Sequence, residues 1–146
     1  MRFAATSAAL AATFAGTALA ACDDAADIGF ATLNGGTTGG AGGTEVIVTT
    51  VEELVEAAAA EGPSIIKVQG TIAVEPYGTE IEVSNDKTVV GVGADATISG
   101  GGFKLMGVNN VIIRNLRIGN SYVDAESDVD GIQSDTSSNI WIDHCK

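Results

Sequence analysis

The stretch Gly102 to Asn115, GFKLMGVNNVIIRN, returns 29 residues later as Gly131 to His144, GIQSDTSSNIWIDH. Gly102 falls on Gly131, Asn110 on Asn139 and Ile113 on Ile142, and apolar positions agree at Phe103/Ile132 and Val111/Ile140. A weaker third copy emerges on stepping back 23 residues, which sets Lys87-Thr88-Val89-Val90-Gly91 under Asn110-Val111-Ile112-Ile113-Arg114. Periods in this range belong to solenoids, in which each turn stacks on the last and none is stable alone. A spacing that varies between 23 and 29 places loops of different length on one side, where such folds carry their binding face. The recurring Asn tolerates the left-handed conformation of a turn and can stack on its counterpart in the next turn.

Around this repeat the chain from residue 71 onward consists of short β-branched runs separated by Gly, Asn, Asp and Ser. They are Thr71 to Val74, Ile81 to Val83, Thr88 to Val92, Thr97 to Ile98, Phe103 to Met106, Val111 to Ile118, Ile132 to Gln133 and Ile140 to Ile142. Such spacing suits a β-sandwich or a β-solenoid, and the internal repeat selects the solenoid. Toward the N-terminus, Glu45 to Thr49 reads as a strand, and Thr50-Val51-Glu52-Glu53 has the form of a capping box. One short helix is expected from Val51 to Glu61, stopped by Gly62 and Pro63. Ile65, Ile66 and Val68 resume strand character and Gly70 breaks it.

Gly29 to Gly43 holds seven glycines in fifteen residues. A flexible linker would have this composition, but Phe30 and Leu33 within it suit an extended segment lying on the fold. A phosphate-cradling loop is disfavoured, because no Lys follows the glycines and the GxGxxG spacing is absent. Before it, Arg2 precedes an uncharged, Ala-rich run from Phe3 to Ala21, the form of a secretory signal peptide over residues 1–21. Thr6, Ser7, Thr13, Gly16 and Thr17 make that run too polar for a membrane span. Residues 22–28 form a short acidic leader. Leu19-Ala20-Ala21-Cys22 also resembles a lipobox, which would leave Cys22 lipid-modified; ordinary cleavage would leave it free to pair with Cys145.

The 146 residues carry 7 Lys and Arg against 19 Asp and Glu, a net charge of −12. Loss of residues 1–21 removes Arg2 and no acid, taking the charge to −13. A polyanionic chain is repelled by phosphate backbones and anionic lipid surfaces, so nucleic-acid or membrane-surface partners are disfavoured. It could hold an anionic ligand only through cations. Asp124, Glu126, Asp128 and Asp130 place four carboxylates in seven residues just before a strand. This is either a solvated acidic loop or a metal site. In an extended segment Asp128 and Asp130 point to the same side, and hard oxygen donors without His or Cys favour Ca²⁺ over zinc or copper. Asp143 beside His144 invites an acid–base reading, but neighbours on a strand face opposite ways and should not address one group together.

The ordered set of motifs resembles the pectate lyase family of polysaccharide lyases. It runs from Gly29-Phe30-Ala31 and Thr37-Thr38-Gly39-Gly40 through Ile65 to Ile72, Val90-Gly91-Val92-Gly93 and Asn110 to Leu116. It closes in Asp130-Gly131-Ile132 and Asn139-Ile140-Trp141-Ile142-Asp143-His144. The resemblance implies an all-β, right-handed parallel β-helix over residues 29–146, with the short helix as its N-terminal cap. It implies a secreted enzyme, monomeric when full length, that cleaves polygalacturonate by β-elimination. It makes Asp130, and in some members Asp128, ligands of a Ca²⁺ that offsets the substrate carboxylate and eases loss of the C5 proton. It also assigns a structural role to the segment holding Trp141, Asp143 and His144. The family's catalytic base is an arginine on turns beyond that segment. Arg114 and Arg117 match no catalytic position, so no catalytic residue is assigned. Residues 29–146 supply about four turns and stop inside a strand motif, so the expectation is the N-terminal part of a longer helix, inactive and aggregation-prone by itself. A non-catalytic β-helix that binds pectin or a cell surface is the alternative reading. A polygalacturonase on the same architecture is disfavoured, because its paired-Asp motifs are missing.

Overall fold

Thr50 opens the helix as the sequence predicts. Its hydroxyl accepts from the Glu53 amide at 3.3 Å, and the Glu53 carboxylate accepts in return from the Thr50 amide. Hydrogen bonds from the Thr49 amide and hydroxyl, and from the Thr50 amide, hold the Glu53 carboxyl below its usual pKa. The helix α1 spans Val51–Ala59 and buries Leu54 and Ala58 against the core. It ends two residues short of the expected Glu61, with the Ala60 amide bonded to Glu56. Gly62 follows in the left-handed region.

The computed structural model describes residues 25–121 and 129–146. Nine strands follow in order: β1 Thr44–Val48, β2 Ser64–Ala73, β3 Thr79–Glu82, β4 Lys87–Ser99, β5 Gly101–Met106, β6 Asn109–Arg114, β7 Arg117–Gly119, β8 Ile132–Asp135 and β9 Ser138–Asp143. Each pairs in parallel with the corresponding strand of the next turn. One sheet runs β1-β2-β4-β6-β9, with β7 on the end of β4, and the other runs β3-β5-β8. This is the parallel β-helix expected, with α1 as the one α-helix among the described residues. Its interior is a stack of Ile66, Val68, Ile72, Val89, Ile98, Phe103, Leu105, Val111 and Ile113.

Register corrects the sequence reading first at Lys87. Thr44 faces Ser64, Ser64 faces Lys87, Lys87 faces Val111 and Val111 faces Ile140, so successive turns take 20, 23, 24 and 29 residues. The expected pairing of Lys87 with Asn110 is therefore displaced by one. Asp86, Asn110 and Asn139 share the left-handed turn position, at φ 57°, 63° and 53°. Gly70 likewise does not end a strand: β2 passes through it with a register shift between Gln69 and Thr71. Asn115, at φ 52°, divides the expected run Val111 to Ile118 into β6 and β7.

The glycine-rich segment lies on the fold, but not through its apolar residues. Phe30 is 91% exposed and Leu33 half exposed. Contact is made by backbone. The Gly40 amide donates to Thr88 Oγ1, and the Thr38 and Gly39 amides donate to Asn110 Oδ1. Asn139 reaches the Leu33 and Gly36 carbonyls. A side chain at this approach would displace the strand beneath it.

Lys87 is wholly buried, and its ammonium donates to the Gly62 carbonyl at 2.6 Å and the Asn85 carbonyl at 2.9 Å. It thereby ties the end of the helix connection to the next turn. Burial pushes its pKa down, only partly opposed by Asp86. A lysine whose folded pKa lies below its unfolded value is better tolerated once deprotonated, so its effect on stability becomes more favourable as pH rises toward about 10.4. The stability difference between wild type and Lys87→Met is thus expected to move toward the wild type across the alkaline range. Urea titrations at stepped pH measure it, and a pH-independent difference would contradict the assignment.

Candidate functional site

Asp130 is placed by a glycine contact between turns. A Cβ on Gly102 would lie 2.0 Å from the Asp130 carbonyl oxygen, so only glycine lets the two backbones meet there. The Phe103 amide then donates to the Gly131 carbonyl at 3.0 Å, and β8 continues in register with β5. Asp130 itself is exposed just ahead of β8. Its carboxylate is a hard oxygen donor held on a fixed backbone, which fits Ca²⁺. Asp128, Asp124 and Glu126 lie outside the described residues. Among the described residues no three His, Cys, Asp or Glu side chains converge on one point.

The outer face of β3, β5 and β8 follows from strand alternation. Phe103 and Leu105 turn inward and are fully buried, whereas Lys104 and Met106 face out. Lys104 lies across from Glu82 on one side and Gln133 on the other. Its ammonium pairs with Glu80 at 3.4 Å, the carboxylate being the more buried partner at 13% exposure against 34%. Beside it runs an open groove of about 260 Å³, lined by Ala59, Glu82, Val83, Ser84, Lys104 and Met106 together with Val108. Sequence reasoning passed over Lys104, although the alternation in Gly102-Phe103-Lys104-Leu105 already turns it outward.

The WIDH segment lies on the other sheet. On the outer side of β6 and β9, the Arg114 guanidinium stands 5.2 Å over the Trp141 ring and 3.5 Å from Asp143. His144 Nδ1 is 2.7 Å from the same carboxylate. The expectation that Asp143 and His144 face apart is thus overturned: β9 ends at Asp143, and His144 takes φ 51°, which turns its ring back. With Ala25, Asp27 and Ile28 they line an open cleft of about 670 Å³. The Arg114–Asp143–His144 chain joins β6 to β9 and stands on a different sheet from the strand that follows Asp130. Cys145 packs against the core, and burial raises its thiol pKa. Its pairing with Cys22 and the export signal fall on residues outside those described.

Comparison with known proteins accounts for these features together. A sequence of 118 residues, 81% of this chain, is 48% identical to a pectate lyase of Emericella nidulans. A pectate trisaccharide-lyase of Thermotoga maritima is 45% identical over 82% of the chain. The chain spans about a third of the length of these relatives, 34% in each case. Among solved structures, a thermostable pectate lyase superposes with a TM-score of 0.72 at 25% identity, covering 84% of this chain and 48% of its own. A pectate lyase from Bacillus sp. N165 in complex with trigalacturonate superposes at 0.69 with 30% identity, over 82% of this chain and 41% of its own. No helix among the described residues is long and apolar enough to cross a membrane. The stacked parallel turns superpose on those of solved pectate lyases, and the family model described as pectate lyase matches residues 4–146: the chain belongs to the pectate lyase family.

Proposed function

We propose that this chain forms the first turns, and part of the Ca²⁺ subsite, of a secreted pectate lyase that cleaves polygalacturonate by Ca²⁺-dependent β-elimination. Residues 1–21 would direct export, residues 22–28 form a leader and residues 29–146 build the β-helix. The observation that carries the reading is the exposed Asp130 carboxylate on a backbone fixed against Gly102, in a member of this family. Asp130, with Asp128, would hold the ion. When bound, Ca²⁺ supplies positive charge that stabilises the carboxylate-conjugated anion formed as the proton leaves C5. An ion held there also explains how a chain of charge −12 can hold a polyanion.

A specific observation keeps a second reading in view. The arginines among the described residues, Arg114 and Arg117, belong to β6 and β7 rather than to the face of β3, β5 and β8. A non-catalytic β-helix that binds pectate would need no base there. Trigalacturonate titrated with and without Ca²⁺, with the ultraviolet absorbance of unsaturated product followed in parallel, separates the two. Because the family's base lies on turns beyond the WIDH segment, product is read on the full-length secreted protein, where Ca²⁺-dependent binding with product supports the lyase and binding without product supports the binding module. Asp130→Asn is expected to weaken Ca²⁺-dependent binding about tenfold or more, since it removes a charged ligand. Wild-type binding that ignores both Ca²⁺ and this substitution would overturn the proposal.

A further inference from the structure

We infer that Lys104 is a specificity-determining residue, the cation with which this chain recognises a uronate carboxylate next to the Asp130 subsite, and that Glu80 positions it. The inference rests on the reading of the β3, β5 and β8 face as the substrate face. Strands β3 (TEIE), β5 (GGFKLM) and β8 (IQSD) contain one basic residue between them, Lys104. The same face carries Glu80, Glu82 and Asp135, each of which repels a polyuronate. An ion at Asp130 offsets that repulsion only close to itself. Lys104 offsets it further along the sheet.

Placement supports this role. Gln133, the register partner of Lys104, follows Asp130 by three residues. Lys104 is therefore about 10 Å along the strand direction from Asp130 and one strand spacing, about 4.8 Å, across from it. A short oligouronide can bridge that distance. Glu80 is the ion-pair partner of Lys104 among the described residues, and it is the more buried of the two. The pair thus anchors the lysine from below while its head group, with three N–H donors, borders the open groove. A lysine on a flexible stem suits this task, because it meets the carboxylate as a point charge rather than in a fixed fork.

The test is calorimetric titration of the wild type, Lys104→Gln and Lys104→Arg, first with CaCl₂ alone and then with trigalacturonate at saturating Ca²⁺. Lys104→Gln is expected to bind Ca²⁺ like the wild type and trigalacturonate about tenfold more weakly, and Lys104→Arg to retain most of the affinity. Thermal melts accompany each titration. If Lys104→Gln melts early, the Glu80→Gln/Lys104→Gln double variant replaces the ion pair by a neutral pair of similar volume and is expected to show the same loss. Wild-type affinity retained in Lys104→Gln overturns the inference and leaves the substrate reading standing. Equal losses in the Gln and Arg variants also overturn it, since charge would then not be the cause. Failure of the wild type to bind trigalacturonate with Ca²⁺ overturns the substrate reading, and the inference with it.

Discussion

Gly40→Ala is expected to cost about 3 kcal/mol or more, enough to unfold much of a marginally stable chain. A Cβ at Gly40 would lie 1.9 Å from the Ser64 carbonyl oxygen and 2.3 Å from its carbon. Both are backbone atoms of a strand buried between β1 and β4, so no rotamer change relieves the overlap. Two other glycines isolate the cause. Gly42 has open space but φ +78°, so Gly42→Ala should cost only the left-handed strain, about 1 kcal/mol. Gly119 has open space and no positive φ, and Gly119→Ala should be close to neutral. Urea denaturation of the three variants reads the order directly. A Gly40→Ala protein as stable as Gly119→Ala would show that the glycine-rich segment does not lie against β2.

Asn110→Ala is expected to be the next most damaging change, at about 2–3 kcal/mol. The Asn110 Oδ1 accepts from the Thr38 amide at 2.7 Å and the Gly39 amide at 2.8 Å, while Nδ2 donates to Asp86 Oδ1 at 2.7 Å and the Gly39 carbonyl at 3.1 Å. Alanine leaves the partly buried Gly39 groups unpaired and must also adopt φ 63°, which asparagine tolerates better. Asn110→Asp tests the geometry, because it keeps an acceptor for the two amides but sets a second carboxylate against Asp86. It should recover part of the loss at low pH, where the carboxyl is protonated, and less at neutral pH. Equal stability of the Ala and wild-type proteins would remove Asn110 as the link between the N-terminal segment and the helix.

The one-residue slip at Lys87 shows where a repeat stops being legible. Between β5-β6 and β8-β9 the register of 29 could be read, because Gly, Asn and Ile recur as identities at fixed places. Between β4 and β6 the facing runs are Thr88-Val89-Val90 and Ile112-Ile113-Arg114, nearly continuous in apolar residues. Strands buried on both faces lose the alternation that would betray a slip. The turn residue was the better guide. Asp86 takes the same left-handed position as Asn110, but it differs in chemical type and was not aligned with it.

Local sequence by itself determined the elements whose causes are local: the Thr50 capping box, the short strands and the solenoid period. Each depends on residues a few positions apart or on a pattern that repeats. Tertiary structure decided what depends on contacts between turns. It buried Lys87 under the Gly62 carbonyl, turned His144 back onto Asp143 and set Lys104 beside Glu80 on the face of β3, β5 and β8. It also made Gly39 and Gly40 obligatory, because a Cβ there would meet Thr88 Oγ1 at 2.2 Å and the Ser64 carbonyl oxygen at 1.9 Å. A lysine, a histidine or a glycine reads the same in sequence whether solvent or another turn lies beside it, and only the stacking of turns settles which it meets.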